Sequence, residues 1–163
     1  MFSNKLIGLA EEVISACKNN NLQLATAESC TGGLIAGCLT SVTGASDVLQ
    51  YGYVTYTNQA KINLLGVSAG VLGEHGAVSE LVSRTMADGA IRSGDANIAV
   101  SVTGIAGPGG GSNKKPVGLV HIAVARIDYE TLHERHLFKG DRKAIRQQTI
   151  AAALQLLLSQ VDP

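Results

Sequence analysis

From Asn4 to Lys18 the apolar residues Leu6, Leu9, Ala10, Val13 and Cys17 return at the spacing of one helical face. That spacing predicts an amphipathic helix, which Asn19, Asn20 and Asn21 end. Leu22 to Ala27 is a short apolar run that stops at Glu28-Ser29-Cys30-Thr31-Gly32-Gly33, and Leu34 to Thr40 is helical again. Strand, tight turn and helix are expected here. Val48 to Tyr56, rich in Tyr, Val and Thr, predicts a second strand, after which Asn58 is placed to cap a short helix that Gly66 ends. Lys61 falls in the first turn of that helix. Ser79 to Ser93 carries Leu81, Val82, Thr85, Met86 and Gly89 along one side of a helix closed by Gly94, and Asn97 to Thr103 reads as a buried strand.

Gly104 to Gly111 holds five glycines and Pro108, too irregular for regular structure, and Ser112 to Pro116 extends it as a polar loop. Val117 to Ile127 and Thr131 to Phe138 read as strands joined at Asp128-Tyr129-Glu130, a hairpin that adds antiparallel pairing to the parallel pairing of the first half. A long helix is expected from Asp141 to about Gln160, with Ile145, Ala152 and Leu156 on one face. The order α-β-α-β-α-α-β-loop-β-β-α, with no internal repeat or linker, predicts one layered α/β/α domain with a mixed β-sheet over residues 1–163.

Composition narrows the function classes. Lys and Arg number 13 and so do Asp and Glu, giving no net charge. With no long run of one sign, the chain lacks an electrostatic footprint for nucleic acid or an anionic membrane. No stretch approaches membrane-spanning length, and Lys5, Glu11 and Glu12 interrupt the N-terminal segment, so a cytoplasmic protein is expected. Cys17, Cys30 and Cys38 form no CxxC pair, and no H-x-x-x-H or H-E-x-x-H spacing points to a metal. The 19 glycines are in excess, so their positions matter.

Ligands of α/β domains collect where strand ends meet helix N-termini. Two such places stand out. In Thr26-Ala27-Glu28-Ser29-Cys30-Thr31-Gly32-Gly33, a hydroxyl and a thiol lie on a strand-to-helix turn whose glycines permit close backbone approach. Two readings stand: a Ser or Thr N-cap for the helix at Leu34, or an exposed nucleophile with nearby amide donors. They are compatible if Thr31 caps and Ser29 reacts. The second place, Thr103-Gly104-Ile105-Ala106-Gly107-Pro108 and the glycines after it, has the composition of an anion-binding nest or of a surface loop.

Lys61 is the candidate base, because the positive end of a helix disfavours the ammonium form, with a solvated surface lysine as the alternative. Arg142 and Arg146 share a helical face and are candidates to grip a phosphate together. His133 and His136 point to opposite faces of one strand and so form no shared site by themselves. Cys17 and Cys38 read as core residues, whereas Cys30, aided by Glu28 and Lys61, rivals Ser29 as nucleophile.

Five blocks then occur in order: Ala27-Glu28-Ser29-Cys30-Thr31-Gly32-Gly33, Tyr53-Val54-Thr55-Tyr56-Thr57-Asn58-Gln59-Ala60-Lys61, Gly76-Ala77-Val78-Ser79-Glu80, Thr103-Gly104-Ile105-Ala106-Gly107-Pro108 and Lys115-Pro116-Val117-Gly118. On these blocks the chain resembles the C-terminal domain of the CinA competence/damage-inducible family from about Leu6 to Leu158. Stand-alone members of that family include bacterial nicotinamide mononucleotide (NMN) deamidases. Larger members carry an N-terminal molybdopterin-binding-like domain, for which this length leaves no room.

The resemblance implies a CinA C-terminal-type amidohydrolase domain. It would hydrolyse the carboxamide of NMN to nicotinate mononucleotide and ammonia, with no metal or cofactor. Ser29 would be the nucleophile, Lys61 its base and Tyr56 an orienting group. Amides around Thr31, Gly32 and Gly33 would hold the oxyanion, and Thr103, Gly104, Gly107 and Arg142 would bind the nucleotide. A homodimer is implied as well, with the final helix a candidate interface. A non-catalytic nucleotide-binding paralogue and a Cys30 thiol amidase acting on another amide stand as alternatives.

Overall fold

The computed structural model describes residues 1–162; Pro163, the last residue of the expected 1–163 domain, lies outside the described residues. Helix α1 (Asn4–Asn19) starts where the Ser3 hydroxyl accepts the Leu6 amide proton, and it buries Leu6, Ala10, Val13, Ile14 and Cys17 as its spacing predicts. Strand β1 (Leu24–Glu28), helix α2 (Leu34–Leu39), a 3-10 turn (Ala45–Asp47) and strand β2 (Leu49–Val54) follow. Three helices come next: α3 (Asn58–Leu65), α4 (Ala69–His75) and α5 (Glu80–Gly94). The chain ends with β3 (Ile98–Gly104), the hairpin of β4 (Leu119–Arg126) and β5 (Leu132–Leu137), and α6 (Arg142–Val161).

Several local expectations change. The cap of α3 is Thr57, whose hydroxyl accepts the Ala60 amide proton, and Asn58 is the first helical residue. Gly94 is still helical; Asp95, at φ +46°, ends α5. Helix α4 went unpredicted because its seven residues include Gly70 and Gly73, too short and too glycine-rich for a periodic signal. The N-cap of α2 is Gly33 with no side-chain cap, so neither Ser29 nor Thr31 caps it.

The five strands form one mixed sheet in the order β2-β1-β3-β4-β5, with β2, β1 and β3 parallel and the β3–β4 and β4–β5 pairs antiparallel. Alternate residues of β3 and β4 divide the core. Ile98, Val100, Val102, Val120, Ile122 and Val124 pack under α1, α2 and α6. The other face is built from small residues, among them Ala25, Ala27, Ala99, Ala123 and Ala125, and lets α5 come close. The result is an α/β/α sandwich. Helix α6 buries Ile145, Ala152 and Leu156 against the sheet and α1, so that face is core rather than free surface.

Strands β1, β2, β3 and β5 all end at the same edge of the sheet, where β4 begins. The connection from β1 leads outward to β2 and that from β2 returns across β1 to β3, so the strand order reverses beside β1. A crevice opens at such a switch point. Here it lies between the turn after β1 and the loop after β3, with the N-terminal turn of α6 delivered to the same edge.

Candidate active site

At that edge a cavity of about 260 Å³ is lined by residues that include Ser29, Cys30, Tyr56, Lys61, Thr103, Gly104 and Arg142. Glu28, the last residue of β1, hands the chain to Ser29, whose amide is held by the Val102 carbonyl at 3.0 Å. Helix α3 sends Lys61 back under the turn. The lysine is 1% exposed, and its Nζ lies 3.1 Å from Ser29 Oγ and 2.8 Å from the Thr55 carbonyl. Burial lowers its pKa below the ordinary 10.5, with nearby Cys30 pulling the other way. The cause is loss of water on burial. A neutral amine at this distance accepts the serine proton.

Cys30 is a poor nucleophile. It is buried, and desolvation is the largest influence pushing its pKa up to about 12, so it stays a thiol. Glu28 does not assist it: the carboxylate, 1% exposed, accepts the amide protons of Gly33, Ile35 and Ala36 at 3.1, 3.0 and 2.8 Å. The thiol mechanism therefore lacks a ready thiolate and the help of Glu28, while Arg146 and Lys61 still favour the thiolate weakly.

The turn also assigns its amides differently from expectation. The Gly32 N–H is bonded to the Ser29 carbonyl at 3.1 Å and the Gly33 N–H to Glu28, so neither is free for an oxyanion. The Cys30 and Thr31 amides have no acceptor among the described residues. The Thr31 hydroxyl is buried without a partner, while its carbonyl accepts from Arg146 at 2.7 Å.

Arg142 and Arg146 both line a second cavity of about 370 Å³ but make different contacts. Arg142 also lines the Ser29 cavity and donates to the Gly107 carbonyl and the Tyr56 hydroxyl, each at 2.9 Å, whereas Arg146 is tied to the turn. Tyr56 is 57% exposed at the cavity mouth. Thr103 is buried and donates to the Ala77 carbonyl at 2.8 Å, and Gly104 ends β3 beside it. Gly107 meets the site through its carbonyl. The charged side chains of the cavity are thus Lys61 and Arg142, both basic, with no carboxylate in the lining. Ala106, from the expected Thr103–Gly107 turn, also lines the cavity, and sequence reasoning missed Asn58, Ala77 and Val78, which complete the wall. For all three the available signal was their place in two of the five blocks.

No group of three His, Cys, Asp or Glu residues among those described is arranged to hold a metal ion.

Comparison with known proteins identifies the family. Residues 7–161 match the family model described as the CinA C-terminal domain. The chain is 46% identical to nicotinamide-nucleotide amidohydrolase PncC of Escherichia coli, over 98% of this chain and 97% of that one. It is 50% identical to a putative competence-damage inducible protein of Caldicellulosiruptor bescii, of which it spans only 37%. The crystal structure of competence/damage inducible protein CihA from Agrobacterium tumefaciens superposes with a TM-score of 0.95 at 46% identity, covering 98% of this chain and 97% of that one. With the matched region running through every element of the sheet, the chain belongs to the CinA C-terminal domain family.

Proposed function

We propose that this chain is a nicotinamide-nucleotide amidohydrolase that converts the carboxamide of NMN to the carboxylate with release of ammonia. The observation that carries the reading is the buried Lys61 amine, 3.1 Å from Ser29 Oγ, in a cavity that also holds the Arg142 guanidinium and, among the described residues, no carboxylate. The 46% identity to PncC over nearly the whole of both chains supports the substrate class.

In this mechanism Lys61 takes the Ser29 proton and Oγ attacks the carboxamide carbon. The amides of Cys30 and Thr31 stabilise the oxyanion, in place of those of Gly32 and Gly33. Collapse expels ammonia with the proton from Lys61, leaving an acyl-serine. Lys61 then deprotonates the water that cleaves the ester. Arg142 binds the phosphate with the N–H groups it does not give to Gly107 and Tyr56. Tyr56 is held by the same guanidinium at the mouth, where it orients the substrate; Thr103 and Gly104 form the opposite wall.

Two further properties go with this reading. Buried free cysteines suit the reducing cytoplasm, and no described helix is long and apolar enough to cross a membrane. Self-association as a homodimer would use the free edge of β2, where Tyr51, Val54 and the neighbouring Tyr56 are exposed, since α6 is committed to the core. Equilibrium sedimentation reads the stoichiometry.

The test is ammonia release from NMN, with a chelator present throughout. Wild type turns over, Ser29→Ala loses activity by about a thousandfold or more while still binding NMN, and Cys30→Ser keeps most of it. Binding without ammonia release by the wild type sinks the proposal. Loss confined to Cys30→Ser restores the thiol.

A further inference from the structure

The Ser29–Lys61 contact closes a ring of bonds that passes through Glu28, a residue outside the cavity wall. The Glu28 carbonyl accepts the Thr55 amide proton at 2.8 Å, and the Thr55 carbonyl accepts Lys61 Nζ at 2.8 Å. Lys61 reaches Ser29, which is bonded covalently to Glu28. The side chain of Glu28 fixes the other half of the turn. One carboxylate oxygen accepts from Gly33 and Ile35, the other from Ala36 and from the Thr26 hydroxyl at 3.4 Å.

A buried carboxylate is tolerated when donors fill its lone pairs, and four donors do so here. The amides of a helix start are ordinarily satisfied by the residue at the cap. That residue is Gly33, with φ +93° and no side chain, so the cap is supplied from the end of β1 instead. The first turn of α2 is thereby tied to the strand, and the residues between must arch out as a loop with Ser29 at its start.

We propose that Glu28 is a positioning residue: its carboxylate fixes the loop that presents Ser29 Oγ to Lys61. It touches no substrate. It acts through the backbone of the turn, and the inference rests on Ser29 being the nucleophile.

The test measures the rate at which a fluorophosphonate labels Ser29, alongside kcat and KM for NMN, in wild type and Glu28→Gln well below the Tm of each. The glutamine keeps the shape but turns one acceptor into a donor facing amide donors. Labelling and kcat are expected to fall together by about 10- to 100-fold, with KM nearly unchanged and the far-ultraviolet circular dichroism of the wild type retained. A variant with lower Tm but wild-type labelling and kcat overturns the proposal, because the carboxylate is then a helix cap alone. A rise in KM at constant kcat overturns it as well.

If Glu28→Gln does not fold, Thr26→Val decides. It removes one donor to the carboxylate and is expected to slow labelling about two- to fivefold, at the scale of one weak hydrogen bond; unchanged labelling overturns the proposal. A wild type labelled at Ser29 that releases no ammonia from NMN defeats the substrate reading and leaves the Glu28 test valid. A wild type that is not labelled at Ser29 defeats both.

Discussion

Lys61 carries its amine into a place with almost no water, and two oxygens decide what that amine can do. The Thr55 carbonyl holds it in place, and Ser29 Oγ is the partner that can exchange a proton with it. Because burial lowers its pKa, the native state releases the lysine proton at a lower pH than the unfolded chain does. Between the lowered value and the ordinary 10.5 the unfolded chain binds more protons, so this residue makes stability rise with pH across that window. Activity follows the same proton. The acid limb of kcat/KM is expected below the ordinary pKa of lysine, and Lys61→Met is expected to remove that limb and lower kcat by about 10²- to 10⁴-fold. Thermal unfolding should show the methionine variant folded, since a thioether is easier to bury than an ammonium. A variant that retains the limb would assign it to another group. Ser29 and Lys61 were legible in sequence because each stands in a short block with its own local logic. Glu28 was not, since its role follows from a cap that Gly33 lacks, and no spacing reveals a missing side chain.

Lys61 is only as well placed as α3, and α3 is docked by its C-terminal end. A Cβ at Gly89 of α5 would lie 2.0 Å from the Leu65 carbonyl oxygen, so the two helices touch backbone to backbone at that point. Gly89→Ala has to push α3 away from α5. The expected cost is about 1–3 kcal/mol of stability, read by urea denaturation, together with a fall in kcat as the Lys61–Ser29 distance opens. Loss of stability with kcat unchanged would mean that α3 moves without carrying the lysine. Gly89 was visible in the sequence on one side of a predicted helix, but its partner was not, because the α3–α5 contact joins elements far apart in the chain. The long elements α1, α5 and α6 were legible from periodicity, although α5 runs one residue past its expected end and leaves Leu81 exposed. Helix α4 was hidden by its length and glycines, and the cap of α3 moved by one residue because Thr57 and Asn58 are both acceptable caps.

Across the whole molecule, the sheet sets histidines beside the site that no local pattern connects. Strand β4 runs against β3, which pairs His121 with Thr103, and β5 then brings His133 into contact with His121. The rings stack, and Nδ1 of His121 lies 2.9 Å from Nε2 of His133. Desolvation, then His133 and Arg135, lower the His121 pKa to about 4; Glu80 opposes them and Lys115 adds to the lowering. His133 is lowered too, by desolvation first, with Glu80 and Arg84 of α5 acting in opposite directions. Both rings are therefore neutral in the native protein at pH values where unfolded histidine is charged. Below about pH 6.5 the unfolded chain binds more protons, so the stability owed to this pair is present above that pH and is lost as pH falls toward about 4. Urea denaturation at pH 7 and pH 5 should show a loss on the order of 2 kcal/mol from the pair, much reduced in His121→Gln. A wild-type pH dependence in the glutamine variant would assign the loss to other groups. Thr103, opposite His121, donates to the Ala77 carbonyl, and that loop forms a wall of the cavity. Because the native rings stay neutral over this interval, kcat per folded molecule is expected to be insensitive to the pair at pH 5. A fall in kcat at pH 5 that is lost in His121→Gln would overturn that assignment.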